Sequence, residues 1–225
     1  MSSTGSGLFT KRVSDKPHLE VGTPVGDLRG DIVKETAVMA AIAVEEYTNP
    51  IAASATAIKT AIATVAAATT YSGADLNGSI GAGVIPEGRN ITITTAGVTP
   101  ADAPATAVIN GTYRGKAQTE TITVAQTATI ATGVKCFDRV TSIVLPAADG
   151  VAATLSFGIG SMLGTRRKPM GRAGGVNLVR EVAVGSLVTN GVLTAEGYTP
   201  NTVPNGTNDY CIYYEWDATD LVSGG

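Results

Sequence analysis

Residues 89–124 read RNITITTAGVTPADAPATAVINGTYRGKAQTETITV, and this stretch decides the fold class of the chain. It contains three segments in which apolar residues alternate with polar ones or cluster between turn residues, a pattern typical of half-buried strands. The predicted strands cover Arg89–Thr95, Ala105–Tyr113 and Ala117–Val124. Between the last two lies Arg114-Gly115-Lys116, which suits a tight hairpin turn. The stretch therefore predicts a β domain that contains a hairpin.

More strand candidates follow toward the C-terminus, and those up to Gly158 recur at a spacing of roughly ten residues. They cover Thr129–Val134, Arg139–Leu145, Ala153–Gly158, Leu178–Val188, Val192–Ala195 and Tyr210–Trp216. Short strands separated by turn residues such as Asp149-Gly150 are typical of a sandwich or a barrel. The connections are too short for βαβ crossovers, which excludes a doubly wound α/β domain here.

The N-terminal part of the chain lacks such a pattern. Residues 1 to about 35 are polar and are interrupted by Gly and Pro, so residues 1–50 are predicted to form an extended arm that is ordered only by lying on other protein. Within the arm, Ile32–Tyr47 is compatible with a short helix or with a strand against a partner.

Residues 51–88 form an Ala- and Gly-rich connecting segment. Over 51–67, apolar residues recur every three or four positions, which is the spacing of one helical face. These residues are Ile51, Ala55, Ile58, Ile62 and Val65. Against a helix, Thr and Val are frequent here and Thr69-Thr70-Tyr71 is typical of extended chain. A helix and an extended segment therefore both remain open.

The composition predicts a surface that is poor in charge. Charged residues make up 16% of the 225 residues, whereas hydrophobic residues make up 44% and glycine occupies 27 positions. Freely diffusing domains usually carry about a quarter of their residues as charged ones. Because interface centres are depleted in charge, this composition favours a protein whose exterior lies largely against other protein. A secreted Thr-rich β domain is the alternative.

Several functional classes are disfavoured. A net charge of -3 argues against a protein that coats nucleic acid, which requires an excess of Lys and Arg. The N-terminus has no secretory signal, and Pro50–Leu76, interrupted by Lys59, does not predict a membrane span. Cys136 and Cys211 could meet across a sandwich, but two reduced thiols are favoured for a protein that folds in a cytoplasm.

No catalytic, cofactor-binding or metal-binding residue is predicted. The chain has one histidine, His18, and it lies in the arm without a recognisable partner for catalysis or metal binding. Residues 158–164 (GIGSMLG) depart from the spacing of a dinucleotide loop and are interpreted as a strand end that leaves the sandwich. Carboxylates that could form a catalytic pair include Glu45 and Glu120, and most of this set is interpreted as turn or surface positions. We therefore do not expect an enzyme.

The order of four segments resembles an immunoglobulin-like module found in virion proteins of tailed bacteriophages. The segments are IPEGRNITITT (85–95), ATAVINGTYRGKAQTETITV (105–124), GVKCFDRVTSIVLP (133–146) and LSFGIG (155–160). The likeness covers about Thr64 to Gly164. It implies a mainly β chain with an immunoglobulin-like β-sandwich over 89–164. The extended arm precedes this core, and 165–225 forms a β-rich C-terminal extension that begins with a basic connector.

The resemblance also implies a function. It indicates a virion structural protein, made in the cytoplasm of the host bacterium, that decorates or cements the head by bridging neighbouring capsid subunits. Its partners would be the major capsid protein or other virion proteins, in a symmetric assembly of many copies, with no membrane, cofactor or specific nucleic acid. A neck, tail or baseplate component is the first alternative. A receptor- or glycan-binding adhesion module is the second, with Tyr210, Tyr213, Tyr214 and Trp216 as an aromatic platform.

Contacts between subunits are expected in three places: the arm, the basic connector and the aromatic C-terminal strand. For the connector the alternative is a solvated loop, and for the aromatic strand it is completion of this chain's own sheet. The candidate contact residues are Leu8, Phe9, Lys11, Arg12, His18, Leu19, Arg166, Arg167, Lys168, Arg172, Tyr213, Tyr214 and Trp216.

Overall fold

The computed structural model describes residues 40–169, 178–182 and 191–217. Most of the predicted arm, the connector around Arg172 and the second half of the predicted strand Leu178–Val188 lie outside these residues. Ala41–Asp217 form one compact unit.

The described residues are mainly β, and the strand pairs that have a defined register are all antiparallel. Two short 3₁₀ turns, Gly73–Asp75 and Pro100–Asp102, are the only helical elements among the described residues. The strands are β1 (Ala40–Tyr47), β2 (Ser54–Ala63), β3 (Thr69–Ser72), β4 (Arg89–Gly97), β5 (Thr106–Tyr113), β6 (Lys116–Thr123), β7 (Ile130–Phe137), β8 (Arg139–Leu145), β9 (Ala153–Gly164), β10 (Leu178–Val182), β11 (Val192–Leu193), β12 (Gly197–Thr199) and β13 (Asp209–Asp217). This confirms the prediction of a mainly β chain.

The strands form three sheets. The six-stranded sheet has the order β11-β12-β9-β4-β7, and β2 also pairs with β9. The four-stranded sheet has the order β3-β8-β5-β6, and the three-stranded sheet has the order β1-β13-β10. Since β4 occupies one edge of β9 along most of its length, β2 and β12 share the other edge, with β12 at the end near Gly164. The six-stranded sheet therefore includes β2, which precedes residues 89–164 in the chain, and β11 and β12, which follow them.

The hydrophobic core lies between the six-stranded and the four-stranded sheets. Strand β5 shows how it forms, because Ala107, Ile109 and Tyr113 are buried at alternate positions while the residues between them are half-buried. From the opposite sheet, Phe157 and Ile93 belong to the same buried cluster. The two sheets thus pack face to face as a sandwich.

The predicted hairpin turn is confirmed. Tyr113 pairs with Lys116, so Arg114 and Gly115 form a two-residue connection between β5 and β6. Both residues have positive φ angles, 51° and 73°, as a type I′ turn requires. The backbone twist of a type I′ turn matches that of the two strands it joins, so this turn is favoured in hairpins. A Gly in a short connection between two alternating segments is therefore a hairpin signal that can be recognised in the sequence.

The helix left open for 51–67 is not present, because β2 occupies Ser54–Ala63. Its pairing with β9 shifts register between Ser54 and Lys59 and again between Lys59 and Ile62. Such irregularities interrupt the period of two, so the buried residues of β2 are the consecutive positions Ala57, Ile58 and Lys59 and do not alternate with exposed ones. The alternatives left open for Ile32–Tyr47 are likewise resolved in part, since its last eight residues are the strand β1.

The interpretation of residues 158–164 as the end of a strand is wrong. Strand β9 continues through them to Gly164, and the glycines permit close contacts inside the sheet. A Cβ atom on Gly158 would lie 1.8 Å from the carbonyl oxygen of Ser54, and one on Gly160 would lie 2.4 Å from Oδ1 of Asn90. Glycine is required at these positions because neighbouring groups occupy the space of a side chain.

Asn90 explains the second of these close contacts. The ladders on both sides of β4 shift register around this residue. Its side-chain amide replaces backbone hydrogen bonds there: Nδ2 donates to the carbonyl of Gly133 at 2.9 Å, and Oδ1 accepts from the backbone N–H of Met162 at 3.1 Å. The amide thereby joins β7, β4 and β9 across an irregular stretch.

Both cysteines are free thiols. Cys136 is buried, and burial raises the pKa of its thiol to about 12. Cys211 is partly buried on β13.

Candidate functional site

Charged side chains gather at one end of the sandwich, which we call the charged end. At this end β4 begins at Arg89, β8 begins at Arg139, and the β5–β6 hairpin turns at Arg114. Strand β9 finishes here at Gly164 and continues into the basic residues 166–168. The charged end is therefore where the sandwich core meets the predicted C-terminal extension.

A buried carboxylate organises this junction. Oε1 of Glu45, on β1, accepts hydrogen bonds from the backbone N–H of Arg166 at 2.5 Å and from the hydroxyl of Tyr214. Oε2 lies 2.8 Å from the hydroxyl of Tyr47. Glu45 thus joins β1, β13 and the segment that follows β9. Glu45 is thus an exception to the interpretation of most carboxylates as turn or surface positions, because it is buried among donors that compensate its charge, and Glu120 on β6 is also buried.

The tyrosines around Glu45 act as donors. Burial and the neighbouring carboxylate raise the pKa of Tyr47 and of Tyr214 well above the ordinary range of a phenol. Both hydroxyls therefore keep their protons at neutral pH and can donate to Glu45.

A second anchor holds Thr165, which lies between β9 and the basic residues. The hydroxyl of Tyr113 accepts from the backbone N–H of Thr165 at 2.8 Å and lies 2.6 Å from the carbonyl of Glu196. Arg114 donates from Nε to the carbonyl of Thr165 at 2.6 Å and stacks on the ring of Tyr113, 4.5 Å from its centroid. The hairpin tip therefore fixes the backbone of the chain as it leaves β9.

The basic triplet Arg166-Arg167-Lys168 emerges from this fixed backbone with all three side chains exposed. The Arg167 guanidinium lies over the Trp216 ring at 4.6 Å, and Pro169 forms an isolated antiparallel bridge with Trp216. Arg166 and Lys168 form no ion pair with any described carboxylate. Arg166 and Lys168 thus present positive charge that no carboxylate of the described residues pairs with, and they do so on a positioned segment.

Beside the triplet lies an open cleft with a volume of about 650 Å³. The cleft is lined by residues of both charges. The acidic ones include Glu46, Glu87 and Asp138, and the basic ones are Arg114 and Arg166. Such a mixed lining can bind polar or charged groups of a partner through salt bridges and hydrogen bonds.

Two charged residues lie at the back of this end: Arg89 is buried and Glu87 is partly buried. The Arg89 guanidinium donates to the carbonyls of Gly160 and Ile51, at 3.0 and 2.8 Å, and burial lowers its pKa. Burial also raises the pKa of Glu87, an effect that the charge of Arg89 opposes, and Oε2 of Glu87 is buried without a hydrogen-bond partner. Arg89 therefore acts inside the junction, whereas Glu87 also lines the cleft.

The aromatic residues predicted as contacts differ in accessibility. Tyr214 is fully buried in this chain, Trp216 is 9% exposed, and Tyr213 is partly buried. Tyr210 is also buried, so the four rings proposed as a glycan platform do not form an exposed surface, and that interpretation of them is wrong. Their side chains pack largely in this chain's own structure because alternate residues of β13 face inward.

The remaining predicted contact residues divide into two groups. Arg166, Arg167 and Lys168 lie together on the surface, as described above. The others lie outside the described residues and stay predictions: Leu8, Phe9, Lys11, Arg12, His18, Leu19 and Arg172.

The sequence did not point to the residues that hold the triplet in place. Glu45, Tyr113 and Arg114 bond to partners between 51 and 121 positions away along the chain. The one local signal was the pattern of β1, in which Glu45 and Tyr47 alternate and therefore share a face.

Comparison with protein-family models, curated proteins and solved structures finds no match to this chain. In the described ranges, no group of three or more potential metal ligands comes together. None of the helical segments in those ranges has the length and apolar character of a membrane span.

Proposed function

We propose that this protein is a structural component of a tailed-bacteriophage particle, and that it decorates or cements the capsid by bridging neighbouring subunits. In this proposal the sandwich is of the immunoglobulin-like kind that the sequence resembles. The partners are the major capsid protein or other virion proteins, and many copies take part in one symmetric assembly.

The observation that carries the proposal is the basic triplet at the charged end. Its backbone is held by Glu45 and Tyr214, while the side chains of Arg166 and Lys168 are exposed and form no ion pair within the part of the chain that the structure describes. Long cations on a backbone that is already ordered lose less entropy when they bind than cations on an unstructured loop. Such a site suits an acidic patch on an adjacent subunit, where complementary charge sets orientation and partner choice.

Two further features support a bridging role. The overall charge is low, as in proteins whose surface is largely covered by other protein. Residues 1–39 precede β1, the strand that carries Glu45, so the predicted arm joins the body through a strand that is tied to the triplet. An arm adds interface area beyond the roughly 1,000 Å² that a specific contact needs.

The alternatives predict different arrangements on the particle. A neck, tail or baseplate component would occur in rings or helical stacks, whereas a capsid decoration protein would follow the symmetry of the head. Electron microscopy of purified particles would locate the protein and count its copies. A location away from the head would contradict the capsid proposal.

The role of the triplet can be tested by binding to capsids assembled without this protein. We expect Arg166→Ala combined with Lys168→Ala to weaken binding by about tenfold at low salt, since two rim charges are lost. Arg167 is left intact because it also packs on Trp216. The matched control is Lys116→Ala with Arg139→Ala, which removes the same charge from exposed positions outside the triplet. Equal losses in both variants would show that only total charge matters and would refute the role of the triplet.

A further inference from the structure

The end of the sandwich opposite the charged end has a different chemical character. It consists of four connections, 64–68, 98–105, 124–129 and 146–152, which we call the apolar tip. These 26 residues contain no Lys, Arg or aromatic residue, and 18 of them are Ala, Val or Pro. Their only charges are two carboxylates, those of Asp102 and Asp149.

Large apolar side chains are exposed at this tip. Val98 is 94% exposed, Val151 is 68% exposed, and Val65 is exposed as well. Ile130, the first residue of β7 next to the tip, is also exposed. Single exposed apolar residues are ordinary, but several together at one end of a domain indicate a surface that another molecule covers.

The loops of the tip are linked to one another by hydrogen bonds. The backbone N–H of Val98 donates to Ala152 at 3.0 Å, that of Ala148 donates to Val65 at 3.0 Å, and that of Val124 donates to Ala105 at 2.9 Å. The surface is therefore already ordered before it binds anything, which lowers the entropy cost of association.

One of the two carboxylates is occupied within the tip. Oδ2 of Asp102 accepts from the backbone N–H of Ala152 at 3.0 Å, and its side chain also closely approaches Gly150. Asp149 remains as the exposed charge. The tip thus lacks the cations that would bind a polyanion and the aromatic rings that would stack on a sugar or base.

We propose that the apolar tip binds the apolar tip of a second copy of this chain. A surface without cations and with one exposed carboxylate offers little charge for a partner to complement, so an apolar surface that is nearly free of charge fits it best. The same tip on another copy is such a surface, and two identical surfaces can associate around a two-fold axis that keeps the two Asp149 carboxylates apart. Four of the 26 residues are buried, and the other 22 match the roughly 20 to 30 that each partner contributes to a standard interface. This contact is separate from the one proposed for the basic triplet.

The test is the oligomeric state of the full chain, measured by sedimentation over a wide range of concentrations. We expect the wild type to associate as its concentration rises. Val98→Asp with Val151→Asp should weaken this association at least about tenfold, because it brings more carboxylates together with those of Asp149 in the interface. The matched control is Val192→Asp with Val203→Asp, two valines that are each 60% exposed and lie outside the tip. Thermal unfolding should verify that both variants remain folded.

Three results would overturn the proposal. A wild type that stays monomeric at the highest concentration shows that the tip does not bind itself. Association that persists unchanged in the tip variant shows that another face is responsible. An equal loss in the tip variant and in the control shows a general effect of added charge. None of these results affects capsid binding through the triplet, which is measured separately.

Discussion

The two ends of the sandwich are built from the same strands, but they are held together differently. At the charged end, side chains such as Glu45 and Arg114 reach segments distant in sequence. At the apolar tip, neighbouring loops are joined mainly through their backbones. The low charge of this chain is therefore not spread evenly: charged groups concentrate where the chain leaves the core and are nearly absent from the opposite loops.

This difference leads to different consequences of substitution. A side-chain network depends on particular residues, so single changes at the charged end should reduce stability. Exposed side chains at the tip make few contacts within the chain, so changes there should affect association more than folding.

The largest effect on stability should come from Arg89, the fully buried cation of the charged end. Arg89→Ala leaves a cavity and removes the donors to the carbonyls of Gly160 and Ile51. We expect a loss of about 3–5 kcal/mol in the free energy of unfolding, measured with urea. Val98→Ala at the tip should change the free energy of unfolding by less than about 0.5 kcal/mol. Similar values for the two variants would contradict the contrast between the ends.

A smaller effect is expected at Glu45, where the chain supplies a matched control in the next residue. Glu45→Gln keeps the shape of the side chain but replaces an acceptor oxygen by an NH₂ group that faces other donors. We expect a loss of about 1–3 kcal/mol in the free energy of unfolding. Glu46→Gln removes the same charge from an exposed position on β1 and should cost less than about 0.5 kcal/mol. If the two variants are equally stable, Glu45 does not organise the junction.

The smallest effect should be a pH dependence that arises from Glu87. Because burial raises the pKa of Glu87, the folded chain binds its proton more tightly than the unfolded chain does. Ionisation therefore costs stability as the pH rises from the ordinary glutamate pKa through the raised pKa. Glu87→Gln should remove this cost, so the melting temperature of the variant should exceed that of the wild type at pH values above the raised pKa of Glu87. The difference in melting temperature should shrink at pH values below the ordinary glutamate pKa. A difference of constant size at every pH would show that Glu87 does not cause the pH dependence.

The sequence was informative where structure is determined locally. The β5–β6 hairpin was predictable because alternating strands flank a two-residue turn whose residues can adopt positive φ angles. Strand β2 was left open because its irregular pairing with β9 disrupts the period of two. The continuation of β9 was missed because its glycines resemble a loop, although they make room for Ser54 and Asn90.

The candidate site was predictable only in part. A cluster of cations is visible in any sequence, so the triplet could be found. The burial of Glu45 could not, because two of its donors, Arg166 and Tyr214, lie more than a hundred residues away along the chain. For the same reason Tyr214 was proposed as a contact on its aromatic character alone, whereas its burial depends on how β13 packs.

Strand β9 runs from the apolar tip to the charged end and is paired with β4 from Ala153 to Leu163. If both ends are attached to neighbours, an expanding shell would put this strand under tension along its axis. Antiparallel ladder hydrogen bonds lie perpendicular to the strands, so such a pull loads them in shear and they must slip together instead of opening one by one. The orientation of β9 would then give the protein mechanical resistance in the direction in which a bridge is stretched.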